Sequence, residues 1–183
     1  MNKALMMMDL LAIDTIFKKV GAKMFLLYGT ALGAYRDKDF LPGDEDLDLG
    51  SFDVSLRDKV AEEMRQAGFE VSTCWDEKIK GYRESEMIHA WHDIHVDIFF
   101  FRKKEEGYVA NRSVEEEPFV ILPPKTTESF EPVTLLGKEF SVLSPIEPYL
   151  EFCYEDWKDP KKKDHGKLYH NLLGKEFNYK LFK

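Results

Sequence analysis

The sequence predicts one domain of mixed α+β class spanning residues 1–183, and three observations carry that prediction. A methionine-rich stretch near the start has the apolar spacing of an amphipathic helix. The segment "DEDLDLG", residues 44–50, alternates charged and apolar residues from Glu45 to Leu49, which is the period of a strand. From Phe69 to Phe101 the chain then reads as successive strands. At 183 residues it is long enough to bury one sizeable core and short for two.

Taken in order, a first helix is expected over about residues 3 to 20, ended near Gly21. "KMFLLYG" is a short apolar run that stops at Gly29, the pattern of a buried strand, and "TALGAYR" follows as a short helix. Pro42 and Gly43 punctuate a loop before the acidic strand. Ser55 with Asp58 three positions later forms a capping-box pattern opening "SLRDKVAEEMRQAG", a helix closed by Gly68. "FEVSTCW", "GYRESEM" and "HVDIFFF" read as strands, with a break near His89 to Asp93. In the last of these, Val96, Ile98 and Phe100 share one face, while His95, Asp97 and Phe99 share the other. "FRKKEEGYVANRSVEEEPF" is a charge-dense loop or hairpin. "FEPVTLLGKEFSVLSP" is a hairpin turning at Gly137 and Lys138. Ser144, Pro145 and Glu147 then cap a helix, "PIEPYLEFCYEDW", whose two prolines sit in its first turn, where they are tolerated.

The bulk composition excludes several classes. Charged residues make up 33% and hydrophobic ones 44%, the balance of a soluble globular chain. A formal net charge of −8 argues against wrapping a nucleic-acid backbone, since that affinity comes from Lys and Arg neutralising phosphates. The two cysteines, Cys74 and Cys153, lie in no metal-ligand or disulfide-framework spacing. The N-terminal stretch carries Asp9 and Asp14 within its apolar part, unlike a signal peptide, and no run is long enough to span a membrane. A reducing, cytoplasmic setting is the expectation.

Four carboxylates in five positions, Asp44, Glu45, Asp46 and Asp48, call for a cation. An EF-hand loop starting at Asp44 requires Gly at its sixth position and Glu at its twelfth, where this chain has Leu49 and Ser55, so calcium is set aside. Acids on the solvent face of an edge strand remain an alternative. Under the third reading, Asp46 and Asp48 point the same way from one strand while Leu47 and Leu49 anchor it in the core. Such a pair suits magnesium, with manganese as its substitute, shared with the phosphates of a substrate. Asp97, flanked by Val96 and Ile98, is the candidate third acid. Upstream, Gly29 followed by Thr30 at a helix start offers backbone N–H groups to a phosphate. There is no Gly-x-Gly-x-x-Gly, and Gly29 to Gly33 lacks a following Lys-Ser/Thr, so dinucleotide and P-loop readings fail.

These residues together resemble the nucleotidyltransferase superfamily of DNA polymerase beta-like fold. More narrowly, "YGTALGAYRDKDFLPGDEDLDLG" resembles the signature of the LicD and fukutin-related family, in which Gly-Thr-x-x-Gly-Ala-x-Arg precedes Pro, an aromatic residue and a run of acids. "VDIFFF" and "YLEFCYEDWKDPKKK" resemble its later segments, so the likeness covers about residues 24 to 163. Gly43 stands where the family has an aromatic residue, and Glu45 replaces an aspartate. The resemblance implies a mixed sheet carrying the acidic strands, flanked by helices. It also implies transfer of a phosphorylated alcohol, such as phosphocholine or ribitol phosphate, from a CDP-activated donor to a glycan hydroxyl. Transfer of a nucleotide from an NTP to a small molecule, or nucleotide binding without catalysis, are the alternatives.

On this reading Asp46 and Asp48 hold magnesium, Asp97 binds metal or takes the acceptor's proton, Gly29 and Thr30 contact phosphate, and Arg36 neutralises charge on it. The competing role for Arg36 is an ion pair with Asp37, Asp39 or Asp44. Asp44 and Glu45 are read as solvated, with positioning of the loop or binding of a second metal as the alternative. His89, His92 and His95 recur every three residues, but strand alternation separates His92 from the others, which argues against zinc, while His95 lies where it tunes Asp97. Trp157 reads as a core anchor. Tyr28, Tyr35 and Phe40 surround the motif as candidate platforms for a base. The run "KDPKKKDHGK" is either solvated or an aid to binding an anionic ligand.

Overall fold

The computed structural model describes residues 2–73, 87–104, 107–111, 119–123, 126–154 and 156–160. Cys74, most of the "GYRESEM" segment and the basic run beyond residue 160 lie outside them. Helix α1, Lys3–Val20, starts where the Asn2 side chain accepts the Leu5 N–H. It ends where Gly21 takes φ +82 and the Ala22 N–H returns to the Phe17 carbonyl, a Schellman stop. Strand β1 is only Phe25–Leu26, shorter than the apolar run suggests, because Tyr28 already turns into helix α2, Tyr28–Leu32. A π-helical turn, Gly33–Asp37, continues it. Strand β2 is Asp46–Ser51.

Helix α3, Arg57–Gln66, follows a 3-10 turn over Val54–Leu56. Here the predicted capping box is absent: the residue before the helix is Leu56, with no side-chain cap, and its N–H is taken by the Asp53 carbonyl of the preceding turn. The Asp53 carboxylate instead accepts the Lys23 N–H. Gly68 at φ +95 closes the helix as expected. Strands β3 (Glu70–Thr73), β4 (Met87–Trp91) and β5 (His95–Phe100) follow. The expected break near His89 to Asp93 is thus confined to residues 92–94, since β4 pairs along its whole length with β5.

Strands β6 (Arg102–Lys104), β7 (Gly107–Asn111) and β8 (Phe119–Ile121) form a small antiparallel sheet where a loop or hairpin was expected. Strands β9 (Phe130–Leu135) and β10 (Lys138–Leu143) make the predicted hairpin, but its turn is Leu136 and Gly137, both at positive φ, one residue earlier than Gly137 and Lys138, because Lys138 already pairs with Leu135. Helix α4, Ile146–Cys153, begins after Pro145 without a side-chain cap; the Ser144 hydroxyl donates to Glu131 instead. It stops short of Trp157, where Tyr154 becomes extended.

The main sheet has the order β1-β2-β5-β4-β3, and its central pair, β2 with β5, is parallel while its other pairs are antiparallel. One face is core: Leu47, Leu49, Val96, Ile98 and Phe100 are fully buried, and Phe100 stacks on Phe17 of α1. Each such side chain contributes about 1.5–3 kcal/mol. The other face carries Asp46, Asp48, His95 and Asp97 toward α2 and α4. An aromatic cluster joins the sheets at one end: Phe52 lies 5.0 Å from Phe25, 4.6 Å from Tyr108 and 6.1 Å from Phe130. Gly50 makes room for it, since a Cβ there would come within 2.5 Å of the Phe25 ring. Among the described residues no helix is long and apolar enough to cross a membrane.

Asp9 is a buried carboxylate on the inner face of α1, and its Oδ1 lies 2.9 Å from Nδ1 of His92 in the β4–β5 turn. The hydrogen bond and charge of Asp9, aided by Asp93, raise the His92 pKa above the ordinary 6.5. A raised imidazole pKa stabilises the fold fully below the unfolded value and loses that contribution as pH rises through the folded value. Chemical denaturation is therefore expected to show stability declining above about pH 6.5, with His92→Gln flattening that slope. Gly50→Ala is expected to lower stability by about 1–3 kcal/mol through overpacking against Phe25, readable in the same titrations.

Candidate active site

Backbone register builds the site. β2 and β5 pair with Asp46 opposite His95 and Asp48 opposite Asp97, so all four side chains emerge on one face of two adjacent strands. Asp46 and Asp48 are half-buried and Asp97 is 8% exposed. His95 Nε2 lies 3.2 Å from Asp97 Oδ1, placing a titratable group directly on the third acid.

The Gly-Thr segment is bound to this acid strand rather than merely near it. Beyond the last β1–β2 rung the Leu27 N–H donates to the Asp48 carbonyl at 2.9 Å, and the Asp48 N–H donates to Thr30 Oγ1 at 3.0 Å. Both polar groups of the Asp48 main chain are thereby held by one turn. Thr30 is 2% exposed, so its hydroxyl acts first as a positioning group for Asp48. Tyr28, which opens the turn, sits at φ +40, a conformation that costs a non-glycine residue about 1–2 kcal/mol. Gly29 is required by an intramolecular neighbour: a Cβ there would lie 2.3 Å from Asp44 Oδ2. Asp44, read from sequence as solvated, therefore packs against the glycine and belongs to the site. Glu45 is exposed, as expected.

Arg36 realises the ion-pair alternative. Its Nε and Nη2 donate to the two carboxylate oxygens of Asp37 at 2.8 and 2.7 Å, and its Nη1 donates to the Trp157 carbonyl at 3.0 Å. These bonds hold the Asp37 carboxyl below its usual pKa. Asp39 pairs with Lys3. Trp157 is buried against Tyr35, 5.7 Å between rings, as a core anchor. Tyr28 and Phe40 are buried too, which leaves half-buried Tyr35 as the one of the three aromatics partly open for a base. His92 is engaged by Asp9 and His95 lies beside Asp97, and the three histidines are spread over β4, the β4–β5 turn and β5 rather than alternating along one strand.

Two phenols from the C-terminal part join the site; both lie in "YLEFCYEDWKDPKKK", the stretch that resembles a later family segment, where sequence reasoning gave them no role. The Tyr28 N–H donates to the Tyr149 hydroxyl at 2.9 Å. Burial, then the neighbouring Cys153, Asp48 and Asp44, push the Tyr154 phenol well above its ordinary pKa, so it stays a protonated group beside the acids.

Among the described residues no three His, Cys, Asp or Glu side chains form a ready-made metal cage. What the two strands offer is an open shell. Magnesium commonly binds through one or two carboxylates and takes its other oxygens from substrate phosphates and water, so Asp46 and Asp48 beside Asp97 fit it in chemical kind.

Residues 21–142 match the family described as LicD/FKTN/FKRP, nucleotidyltransferase domain. No curated protein matches the sequence. In fold the chain is similar to the antibiotic-resistance factor ANT(2'')-Ia in its solution structure, with TM-score 0.57 and 15% identity over 94% of this chain and 83% of that one. It is similar also to the lincomycin-bound lincosamide antibiotic adenylyltransferase LnuA, with TM-score 0.55 and 15% identity over 90% of this chain and 94% of that one. The mixed α+β architecture is thus a nucleotidyltransferase fold.

Thr30→Val keeps the shape but leaves the buried Asp48 N–H without its acceptor, so a stability loss of about 1–3 kcal/mol is expected in denaturant titrations. Thr30→Ser should restore most of it.

Proposed function

The chain belongs to the LicD/FKTN/FKRP family of nucleotidyltransferase domains, and from that premise we propose a transferase that moves a phosphorus-containing group from a nucleotide-activated donor to a hydroxyl. The donor we favour is a CDP-alcohol and the group a phosphorylated alcohol of the phosphocholine or ribitol-phosphate kind. The acceptor is a sugar hydroxyl on a glycan. The observation that carries the proposal is the parallel register of Asp48 with Asp97, locked to the Gly-Thr turn through Thr30.

Asp46 and Asp48, with Asp97, are the residues that would hold magnesium, which when bound supplies positive charge to the donor's diphosphate. Where Asp97 does not itself bind the metal it would take the proton of the attacking hydroxyl, and His95, whose Nε2 lies 3.2 Å from Asp97 Oδ1, supports that second role. In the balanced step, the acceptor oxygen forms a new bond to the phosphorus of the phosphoalcohol, the bond from that phosphorus to the bridging oxygen breaks, and CMP leaves with that oxygen. Gly29 and the neighbouring main chain line the phosphate side. Arg36 would reach a phosphate only by exchanging Asp37 for it, so its first role is to brace the helical turn against the Trp157 segment.

The fold likeness to LnuA, described as an adenylyltransferase, favours a second reading in which the nucleotide itself is transferred from an NTP. Mass spectrometry of products after incubation with CDP-choline or with ATP separates the two by the mass added to the acceptor. Calorimetry tests the site itself: a protein giving no magnesium-dependent heat with either donor would be a binding module at most. Asp48→Asn is expected to lower turnover by roughly 10²–10³-fold, the scale of losing an electrostatic contact made in the transition state. Its thermal midpoint should equal or exceed that of the wild type, because a like charge opposite Asp97 has been removed.

A further inference from the structure

We propose that Tyr149 is a positioning residue for the acid site, its hydroxyl serving as the anchor that holds the Gly29–Thr30 turn, and with it Asp48, in the working arrangement. The inference rests on the transferase reading for its kinetic consequence and on geometry alone for the anchoring. The first residues of a helix carry N–H groups with no intrahelical partner, and a side chain just before the helix commonly accepts one of them. Leu27 occupies that place before α2 and gives no such bond. The Tyr28 N–H donates instead to Tyr149 Oη at 2.9 Å, in the buried interior and across 121 positions of sequence.

The consequence runs along a short path. Tyr28 holds φ +40, which a tyrosine keeps only where its surroundings insist on it. Its ring is fixed edge-on to Phe99 at 5.9 Å and beside the Tyr149 ring at 6.3 Å. Two residues on, Thr30 Oγ1 accepts the Asp48 N–H, and one residue back the Leu27 N–H reaches the Asp48 carbonyl. Releasing the Tyr28 N–H therefore loosens the one turn that grips both sides of the Asp48 main chain. Burial raises the Tyr149 pKa well above its ordinary value, so the phenol remains a neutral acceptor of this bond across the working pH range.

Amide hydrogen exchange followed by NMR tests the anchor in the full chain. In the wild type the Tyr28 amide is expected to exchange slowly despite its place at a helix start; exchange at the rate of an unstructured chain would overturn the proposal with no variant needed. Tyr149→Phe keeps the ring and removes the acceptor, so protection at Tyr28 and Asp48 should fall. Its kcat with CDP-choline or ATP, measured well below the melting temperature, should fall about tenfold or more, since small misplacements at a reacting centre cost that much. Val142→Ala, in the buried face of β10, serves as a control of lowered stability with turnover retained. Unchanged exchange and kcat in Tyr149→Phe, or an equal kcat loss in the control, would overturn the positioning role. A wild type inert towards both donors, with the exchange difference present, would remove the transferase reading and leave the anchor standing.

Discussion

The structure depends on the parallel pairing of β2 with β5. That register sets Asp48 level with Asp97, so acidic side chains leave the same face of two adjacent strands, an arrangement that does nothing by itself to drive strand pairing. The opposite face of the same strands supplies the drive. Leu47, Leu49, Val96 and Ile98 are fully buried there, at about 1.5–3 kcal/mol each. The alternation of acid and aliphatic residues is therefore one device with two ends: the aliphatic side drives strand formation, and the strand then forces the acids together. The acid face so formed is the physical ground for the metal-holding role proposed for it.

An acid face of this kind is useful only if it is held still, and the surrounding elements converge on that task. Thr30 and Leu27 grip the Asp48 main chain from one side. Tyr149, arriving from α4, secures the turn that carries them. Arg36 ties the continuation of that helix to the segment around Trp157. The aromatic cluster of Phe25, Phe52, Tyr108 and Phe130 fastens the small sheet and the β9–β10 hairpin to the end of the main sheet, and so places α4. Elements remote in sequence thus act on the acid face through hydrogen bonds and ring contacts.

The family match points to a nucleotide-related transferase, and the acid face bears on how this chain would perform that chemistry. The carboxylates are on rigid strands, the proton-handling candidates His95 and Asp97 are adjacent, and Tyr154 stays protonated nearby. Asp44 packed on Gly29 changes the meaning of that glycine. It admits a carboxylate of the same chain, since a Cβ there would lie 2.3 Å from Asp44 Oδ2.

Local pattern determined a great deal by itself. The span of α1 and its glycine stop, the acidic strand, the two faces of β5, the β9–β10 hairpin and the residues Asp46, Asp48 and Asp97 are legible because each follows from a periodicity or a φ requirement within a few residues. The capping patterns at Ser55 and Ser144 misled for different reasons: a local 3-10 turn closed by the Asp53 carbonyl carries Ser55 outside the helix start, while Glu131 of β9 takes the Ser144 hydroxyl. What only tertiary structure decided is pairing between distant segments. That Asp48 lies opposite Asp97 rather than one residue out of step, that Thr30 serves Asp48, that Arg36 reaches the Trp157 carbonyl, and that Tyr149 caps a helix 121 positions away all depend on strand register and packing. Those are set by the whole core at once, and no short stretch of sequence encodes them.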